Sequence, residues 1–334
     1  MLAALILLTG GGLQPAQSLP RWRSGDGLQA DGAGASGSPA AARPGGLLAQ
    51  AAGSAGGPQP GTRAAEAPIE ALVQRVKAAA ALVASRGEPV FPDFRVRGGR
   101  WFSGEDYIVV LSSDGRSVVY PPDQRGEGLN YGAFQDLGGK PFGRQILDVA
   151  SSEHGHGWVH YQWRRPISGE RRPVWKATYV ERVQAPSGRS YLVLSGLYEP
   201  AMARSFVVDA VEGAASLLGR QGRQAFGLLR DPRGPFFYQD TYVFVVDQGG
   251  TLLVNPGFPA LEGRNLLRWP DPAERAQAQA SLKEVLARGS TWTSYRWPRP
   301  TASPLPEAKS TYLLRVTTPG GEVLIVGSGL YEER

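Results

Sequence analysis

The sequence predicts an α+β protein made of two tandem modules, each with a long N-terminal helix and an antiparallel sheet of about five strands. Three observations support this fold class. A set of spaced motifs occurs twice, at a separation of roughly 135 residues. Each copy begins with apolar residues at helical spacing. Each copy ends in three consecutive strand-like segments whose short connections favour antiparallel pairing.

The duplication is clearest in the last part of each module. Three motifs repeat there in the same order: W-x-x-Y-x-W-x-x-P, P-x-x-K-x-x-Y and S-G-L-Y-E. They begin at Trp158, Pro173 and Ser195 in the first copy and at Trp292, Pro306 and Ser328 in the second. Weaker matches extend back to Gly87 and Gly222. The chain therefore divides into modules at 68–200 and 201–334, each large enough to bury its own core.

Each module is predicted to open with a helix. Ile69, Leu72, Val76 and Val83 form one stripe of a helix with 3.6 residues per turn, and Gly87 is placed to end it. The matching stripe of the second module is Val207, Val211, Ala214 and Leu218. A hairpin (106–120; 241–255), a loop-rich stretch and a short helix (144–151; 272–287) follow. The closing strands are 158–163, 175–184 and 191–198, then 292–297, 310–317 and 322–331. We expect the helices to pack on one face of each sheet.

The first 67 residues differ in composition from the rest of the chain. Gly, Ala and Pro make up 36 of them. The apolar run from Leu2 to Leu8, followed by Ala16-Gln17-Ser18, is typical of a secretory signal peptide, which we assign to 1–18. Residues 19–67 are predicted to be a disordered linker, because so little apolar surface cannot offset the entropy of ordering. The expected location is periplasmic or secreted.

Composition excludes several classes of function. The chain has no cysteine, which rules out disulfides, thiol catalysis and thiolate zinc sites. Its net charge of +6 comes mainly from scattered arginines, since only five of the 36 basic residues are lysines. This distribution does not favour nucleic-acid binding. The sequence contains no G-x-S-x-G, H-E-x-x-H, P-loop or dinucleotide fingerprint, so we expect neither an enzyme nor a cofactor.

The order of these motifs resembles a known family. The long helix, D-T-Y-V-F-V-V-D-Q-G-G-T-L-L-V-N-P at 240–256, L-E-G-R-N at 261–265 and the three closing motifs look like the single-Cache module of bacterial extracytoplasmic sensors. The resemblance implies a PAS-like fold with a pocket between one sheet face and the loop-plus-helix that covers it. It also implies a small-molecule ligand, such as a short carboxylate or an amino acid, and signalling to a kinase, cyclase or chemotaxis output.

Lys176 and Lys309 are the sharpest ligand-binding candidates. They occupy the same position of the repeat, and a strand lysine that faces a cavity can pair with a carboxylate. Tyr179 and Tyr312 in the same motif are further candidates. They lie three residues further on, however, so regular strand alternation directs them to the opposite face. The alternative role for both lysines is to protect an exposed sheet edge.

Aromatic residues of the first closing motif complete the candidate site. Tyr161 and Trp163 alternate along one strand and share a face, as do Tyr295 and Trp297. They line a pocket or fill the core; we favour the pocket for the tyrosines and the core for Trp158 and Trp292.

The histidines are grouped beside Glu153. His154, His156 and His160 have no counterparts in the second module, so a loop is favoured over a metal site.

The sequence thus predicts an exported small-molecule sensor. The chain ends soon after the second S-G-L-Y-E, so we expect it to report to a membrane receptor or kinase partner. The long helices could also pair in a homodimer. The alternative is a structural or protein-interaction module of the cell envelope that binds no ligand.

Overall fold

The structure, a computed structural model, describes residues 60–168, 172–300 and 305–331. The predicted signal peptide and most of the predicted linker lie outside these residues. Among the residues described, none of the helices combines the length and apolarity needed to cross a bilayer.

The first module begins with a helix that is longer than predicted. Its helices are α1 (Pro60–Arg86) and α2 (Phe142–Ala150). Its strands are β1 (Phe102–Ser103), β2 (Asp106–Tyr107), β3 (Val109–Ser112), β4 (Ser117–Val119), β5 (His156–Trp163), β6 (Val174–Gln184) and β7 (Ser190–Tyr198). Because α1 starts at Pro60, residues 60–67 are helical, and the prediction that they belong to the linker is wrong. Several of them, including Arg63, Ala64 and Glu66, are strong helix formers.

The second module repeats this arrangement. Its helices are α3 (Arg204–Gln221), α4 (Phe226–Arg230) and α5 (Pro272–Arg288). Its strands are β8 (Phe237–Tyr238), β9 (Thr241–Tyr242), β10 (Phe244–Asp247), β11 (Leu252–Val254), β12 (Ser290–Trp297), β13 (Glu307–Thr317) and β14 (Val323–Tyr331).

Both modules contain the five-stranded antiparallel sheet that the sequence predicts. The strand order is β4-β3-β7-β6-β5 in the first module and β11-β10-β14-β13-β12 in the second. Each predicted first strand is divided in two. Its start pairs in a separate small hairpin, β1–β2 or β8–β9, and only its end joins the sheet. The fold class, two tandem α+β modules, is confirmed.

Helices cover both faces of each sheet, not one as predicted. The long helix α1 packs on one face of the first sheet, where Val76 and Val83 meet Val110, Ala177 and Val193. The short helix α2 packs on the other face. Helices α3 and α5 do the same in the second module. Each strand therefore sends alternate side chains to a long-helix face and a short-helix face, and the second is available for a site.

An E-G-x-N loop follows β4 in the first module (127–130) and β11 in the second (262–265), and hydrogen bonds hold each loop in place. Glu127 accepts hydrogen bonds from Arg95 at 2.9 Å and from the Tyr120 amide at 3.0 Å. Glu262 accepts from Arg230 at 2.9 Å and from the Asn255 amide at 2.8 Å. Gly128 and Gly263 have φ of 85° and 82°, which glycine tolerates best.

The glycine of S-G-L-Y-E makes room for the lysine on the neighbouring strand. A Cβ built on Gly196 would lie 2.5 Å from Lys176 Cε and 2.7 Å from Thr178 Oγ1. At Gly329 it would lie 2.5 Å from Thr311 Oγ1 and 2.9 Å from Lys309 Cε. Glycine is therefore needed in the duplicated motif, because the buried lysine of the neighbouring strand occupies the space that a side chain would fill.

We expect Gly196→Ala to lower the free energy of unfolding by about 1–3 kcal/mol, the usual range for an overpacked core. The added methyl group has to displace both Lys176 and Thr178. Gly227→Ala is the matched control, because a Cβ on this α4 residue meets no atom within 4 Å. Chemical denaturation of both variants checks the prediction. Equal stability of the two would contradict the packing role of Gly196.

Candidate functional site

Each sheet buries one lysine on its short-helix face. Lys176 of β6 is 5% exposed, and Lys309 of β13 is 1% exposed. Lys176 pairs across the sheet with Tyr161 and Tyr198, and Lys309 pairs with Tyr295 and Tyr331. Neither lysine protects an exposed edge, since both lie on the second strand from the end of the sheet. The structure thus brings the predicted lysine and tyrosine of each module together.

Tyrosine hydroxyl groups surround the ammonium group of Lys176. Its Nζ donates to the hydroxyl oxygens of Tyr107 at 3.0 Å and Tyr198 at 3.1 Å. These two hydroxyls are themselves 3.0 Å apart. Burial lowers the pKa of Lys176 to about 7, because desolvation disfavours the charged form. The first module therefore supplies hydrogen-bond partners for its own lysine.

The ammonium groups of both lysines contact tyrosine ring faces, and Lys176 Nζ lies 5.0 Å from the ring centre of Tyr107 and 4.4 Å from that of Tyr198. For Lys309 these are the contacts that the structure shows. Its Nζ lies 4.4 Å from the ring centre of Tyr242 and 4.9 Å from that of Tyr331, within cation–π range. The Tyr331 hydroxyl donates to the Pro298 carbonyl at 2.6 Å and so is directed elsewhere. Burial lowers the pKa of Lys309 to about 7, and the charge of Asp240 opposes this shift. The Lys309 ammonium is therefore desolvated and contacts the faces of two tyrosine rings.

A threonine two residues after each lysine holds the predicted pocket tyrosine. The hydroxyls of Tyr161 and Thr178 are 2.9 Å apart, and Thr311 Oγ1 donates to the Tyr295 hydroxyl at 3.1 Å. Burial raises the pKa of Tyr295 to about 12, so its hydroxyl stays protonated near neutral pH. Each tyrosine ring is thereby fixed on the short-helix face.

Tyr179 and Tyr312 lie on the long-helix face of their sheets, opposite Lys176 and Lys309, and their role in ligand binding stays a prediction. Tyr179 packs in the core beneath α1 and donates a hydrogen bond to Glu181 at 3.1 Å. Tyr312 packs on the α3 side, 5.3 Å from the Trp292 ring. No bulge intervenes in β6 or β13, so three positions along the strand reverse the face.

The short-helix face of the first module is filled by the protein's own aromatic rings. Phe142 of α2 stacks on Tyr161 with ring centres 4.0 Å apart and an interplanar angle of 6°. Trp163 lies 5.1 Å from the same Phe142 ring. Tyr131 and Phe134 extend the cluster at 4.7 Å separation. Trp163 is therefore a packing residue, and Tyr161 faces phenyl carbon instead of open space.

The second module contains a partly open cavity of about 120 Å³ at the corresponding position. Helix α5 faces it with Gln277, Ala278 and Ser281, which are smaller than the phenyl group of Phe142. The rest of its wall is mainly apolar or aromatic and includes Tyr242, Tyr295, Trp269, Trp297 and Asn255. The cavity wall does not include Lys309, whose ammonium lies 4.4 Å from the ring centre of the wall residue Tyr242. Tyr295 and Trp297 thus line a cavity, whereas their counterparts Tyr161 and Trp163 pack tightly.

The three histidines separate in the structure. His154 and His156 are exposed, with ring centres 6.0 Å apart. His160 is buried and stacks on Tyr238 of the second module at 4.1 Å. Burial lowers its pKa to about 3, so it is neutral. In the part of the chain that the structure describes, no cluster of three or more His, Asp or Glu residues is arranged to hold a metal ion.

Comparison with known proteins identifies the fold family. The sequence profile of the family described as "Cache domain" matches residues 95–185 and 223–334, more than half of the chain. The chain belongs to the Cache domain family. Each matched region contains the buried lysine of its module, Lys176 or Lys309. The second region covers the second module from the end of α3 onwards.

Individual relatives are chemotaxis sensors. The methyl-accepting chemotaxis protein McpP of Pseudomonas putida is 31% identical over 120 residues, which cover 35% of this chain and 21% of that protein. A structure described as a periplasmic sensor domain of a chemotaxis protein is 26% identical, covering 41% of this chain and 94% of its own, with a TM-score of 0.31. A Cache chemosensory domain studied for carboxylic acid recognition is 21% identical, covering 42% and 91%, with a TM-score of 0.29.

Sequence reasoning missed the tyrosines that contact the lysines. Tyr198 and Tyr331 belong to the S-G-L-Y-E motif and lie directly opposite the lysine in the register of the sheet. Tyr107 and Tyr242 come from the small hairpins. The repeat contained a signal for both pairs, because each occurs at equivalent positions of the two Cache modules. Only the register of the paired strands shows that these tyrosines lie next to the lysines.

We expect the free energy of unfolding to rise between pH 7 and pH 10. Lys176 and Lys309 have folded pKa values of about 7, lowered from 10.5, so the unfolded state binds more protons in this range. Each lysine contributes a slope of roughly 1 kcal/mol per pH unit. Lys309→Met should reduce this slope, and chemical denaturation at several pH values measures it.

Lys283→Met is the control for this experiment, since Lys283 is an exposed lysine on α5. It should leave the slope unchanged. A wild-type profile that is flat from pH 7 to pH 9.5, or an equal slope in Lys309→Met, would show that the Lys309 ammonium is not desolvated.

Proposed function

We propose that this protein is an exported sensor that binds a small carboxylate, or the carboxylate of an amino acid, in its second Cache module. The observation that supports the proposal most directly is the desolvated ammonium of Lys309, which contacts the ring of Tyr242 in the wall of the cavity. Removing an ammonium group from water costs free energy unless an anion pairs with it, and a bound carboxylate would offset that cost.

The neighbours of Lys309 suit an anion with a short hydrocarbon part. Tyr242 and Tyr295 belong to the cavity wall, and burial raises the pKa of both hydroxyls, so that both stay protonated near neutral pH. The apolar wall provides contacts for methyl or methylene groups. Because the Tyr242 ring lines the cavity and lies 4.4 Å from the Lys309 ammonium, a shift of this ring would bring a bound carboxylate and the ammonium into contact.

The size of the cavity favours a small ligand. Its volume of about 120 Å³ is well below the roughly 300–1,000 Å³ usual for sites that bind drug-sized ligands. A two- to four-carbon acid is of this order, whereas a nucleotide or an oligopeptide is far larger.

The first module supports a different role. Lys176 donates hydrogen bonds to two tyrosine hydroxyls, and Phe142 fills the space beside Tyr161. A ligand in the first module would therefore find neither an unsatisfied ammonium group nor an open cavity. This observation favours the alternative function for that module alone: a structural or protein-interaction unit. We therefore propose that the two predicted lysine sites differ, with binding at Lys309 and not at Lys176.

We further propose that ligand occupancy is reported to a membrane receptor or kinase partner outside the cytoplasm. The matched segment of the chemotaxis relative is 21% of that protein, so the similarity concerns its sensor part. Cache modules of chemoreceptors act in signalling rather than in catalysis.

The main test is a binding screen of two- to four-carbon carboxylates and small amino acids by thermal shift and calorimetry. At a ligand concentration 100 times Kd, we expect the protein to gain about 2.7 kcal/mol of stability. Lys309→Met should abolish binding, whereas Lys176→Met should retain it. Binding that is lost in Lys176→Met but kept in Lys309→Met would assign the ligand to the first module and contradict the proposal.

The pH dependence of binding supplies an independent check. A carboxylate requires the protonated lysine, and the free protein loses that proton near pH 7. The Kd for a carboxylate should therefore be constant between pH 5.5 and about 7 and rise by up to about tenfold per pH unit above it. A Kd that is unchanged up to pH 9 would argue against Lys309 as the counter-ion.

Export is tested by fractionation. Expressed in a Gram-negative host with its own N-terminus, the protein should occur in the periplasm or medium, with its mass reduced by cleavage after residue 18. Uncleaved protein confined to the cytoplasm would contradict the export proposal and leave the ligand proposal standing.

A further inference from the structure

A second cavity lies where the two modules meet. It has a volume of about 750 Å³, several times that of the cavity in the second module. Trp175 and Glu199 of the first module contribute to its wall, as do Phe237, Asp240, Arg299 and Tyr331 of the second. We call it the intermodule cleft. Its volume falls in the range usual for small-molecule sites.

Aromatic groups form the apolar part of the intermodule cleft. Trp175 is half-buried and is held edge-on against Tyr238, with ring centres 4.9 Å apart. Phe237 is half-buried and stacks on Tyr242 at 6.0 Å. Each ring is thus fixed by a neighbour behind it and still reaches the cleft. Rings of this kind bind hydrocarbon groups and, over their faces, organic cations.

The charged groups of the cleft favour a cation over an anion. The wall contains two carboxylates, Glu199 and Asp240, and one guanidinium, Arg299. Arg299 pairs with Asp240 at 3.1 Å and with Glu307 at 2.9 Å, so these three groups together carry one negative charge. Its guanidinium also lies 4.6 Å from the Tyr331 ring centre. Glu199 pairs with Arg165 at 2.9 Å but is half exposed, and such a pair is weak.

The backbone of the cleft wall is unusual. Glu199 and Gln239 have φ of 48° and 51°, and in the described ranges they are the two non-glycine residues with positive φ. Both residues line the intermodule cleft. Such conformations are costly and are concentrated at ligand sites, where the surrounding structure holds them. Their occurrence here is independent of the charge and ring arguments.

We propose that the intermodule cleft binds an organic amine with an apolar body. Its ammonium group pairs with Glu199 and Asp240, and its hydrocarbon part packs on Trp175 and Phe237. This site is separate from the carboxylate site at Lys309, so the protein would have two ligands of opposite charge.

Phenethylamine and its neutral analogue 2-phenylethanol test the proposal, because they differ mainly in charge. Calorimetry with the full chain should show the amine binding at least about tenfold more tightly than the alcohol. Glu199→Gln and Asp240→Asn should each weaken amine binding by about fivefold or more. Glu284→Gln is the matched control, since Glu284 forms a surface pair with Arg288 on α5, away from the cleft wall.

The indole signals in ¹H–¹⁵N spectra locate the bound amine. Titration with phenethylamine should shift the signal of Trp175, whereas Trp269 and Trp297 of the second-module cavity should respond to carboxylates. Equal affinity for amine and alcohol, unchanged affinity in both carboxylate variants, or amine-induced shifts confined to Trp269 and Trp297 would each overturn the proposal. Carboxylate binding at Lys309 is read from different signals, so each proposal is tested separately.

Discussion

The burial of one lysine ammonium in each module is the constraint on which the candidate site depends. An ammonium that loses its water must gain hydrogen bonds, π faces or an anion. The surrounding residues follow from this need. Tyrosines from two other strands surround the lysine, a threonine on the same strand holds a third tyrosine, and a glycine leaves space for the lysine chain. The motifs P-x-x-K and S-G-L-Y thus describe two sides of one contact.

The two modules meet this constraint in different ways. In the first, the hydroxyls of Tyr107 and Tyr198 are directed at Lys176, and Phe142 fills the space beside Tyr161. In the second, the hydroxyl of Tyr331 is directed away and the space beside Tyr295 is open. The same strand scaffold therefore supports a self-contained core in one module and a cavity in the other. Duplication allows this divergence, because one copy can keep the fold stable while the other binds.

The fold could be predicted from the sequence, because the spacing of apolar residues shows which side chains of a strand or helix share a face. The repeat also located Lys176, Lys309, Tyr161 and Tyr295 correctly on the sheet. Strand alternation predicted that Tyr179 faces away from Lys176, although both residues belong to the same motif. The open cavity could not be predicted, because it depends on which α5 side chain faces Tyr295. The segments between the E-G-x-N motif and α2 or α5 set that register, and they differ in length and sequence.

Tyr331 physically connects the carboxylate site and the intermodule cleft. It lies 4.6 Å from the Arg299 guanidinium and 4.9 Å from the Lys309 ammonium. Asp240, which pairs with Arg299, also raises the pKa of Lys309 against the effect of burial. A cation bound beside Asp240 would offset that negative charge, so the Lys309 ammonium would lose its proton more readily. Carboxylate affinity would then fall, and by linkage a bound carboxylate would weaken amine binding by the same factor. Two ligands of opposite charge would therefore compete without sharing a site.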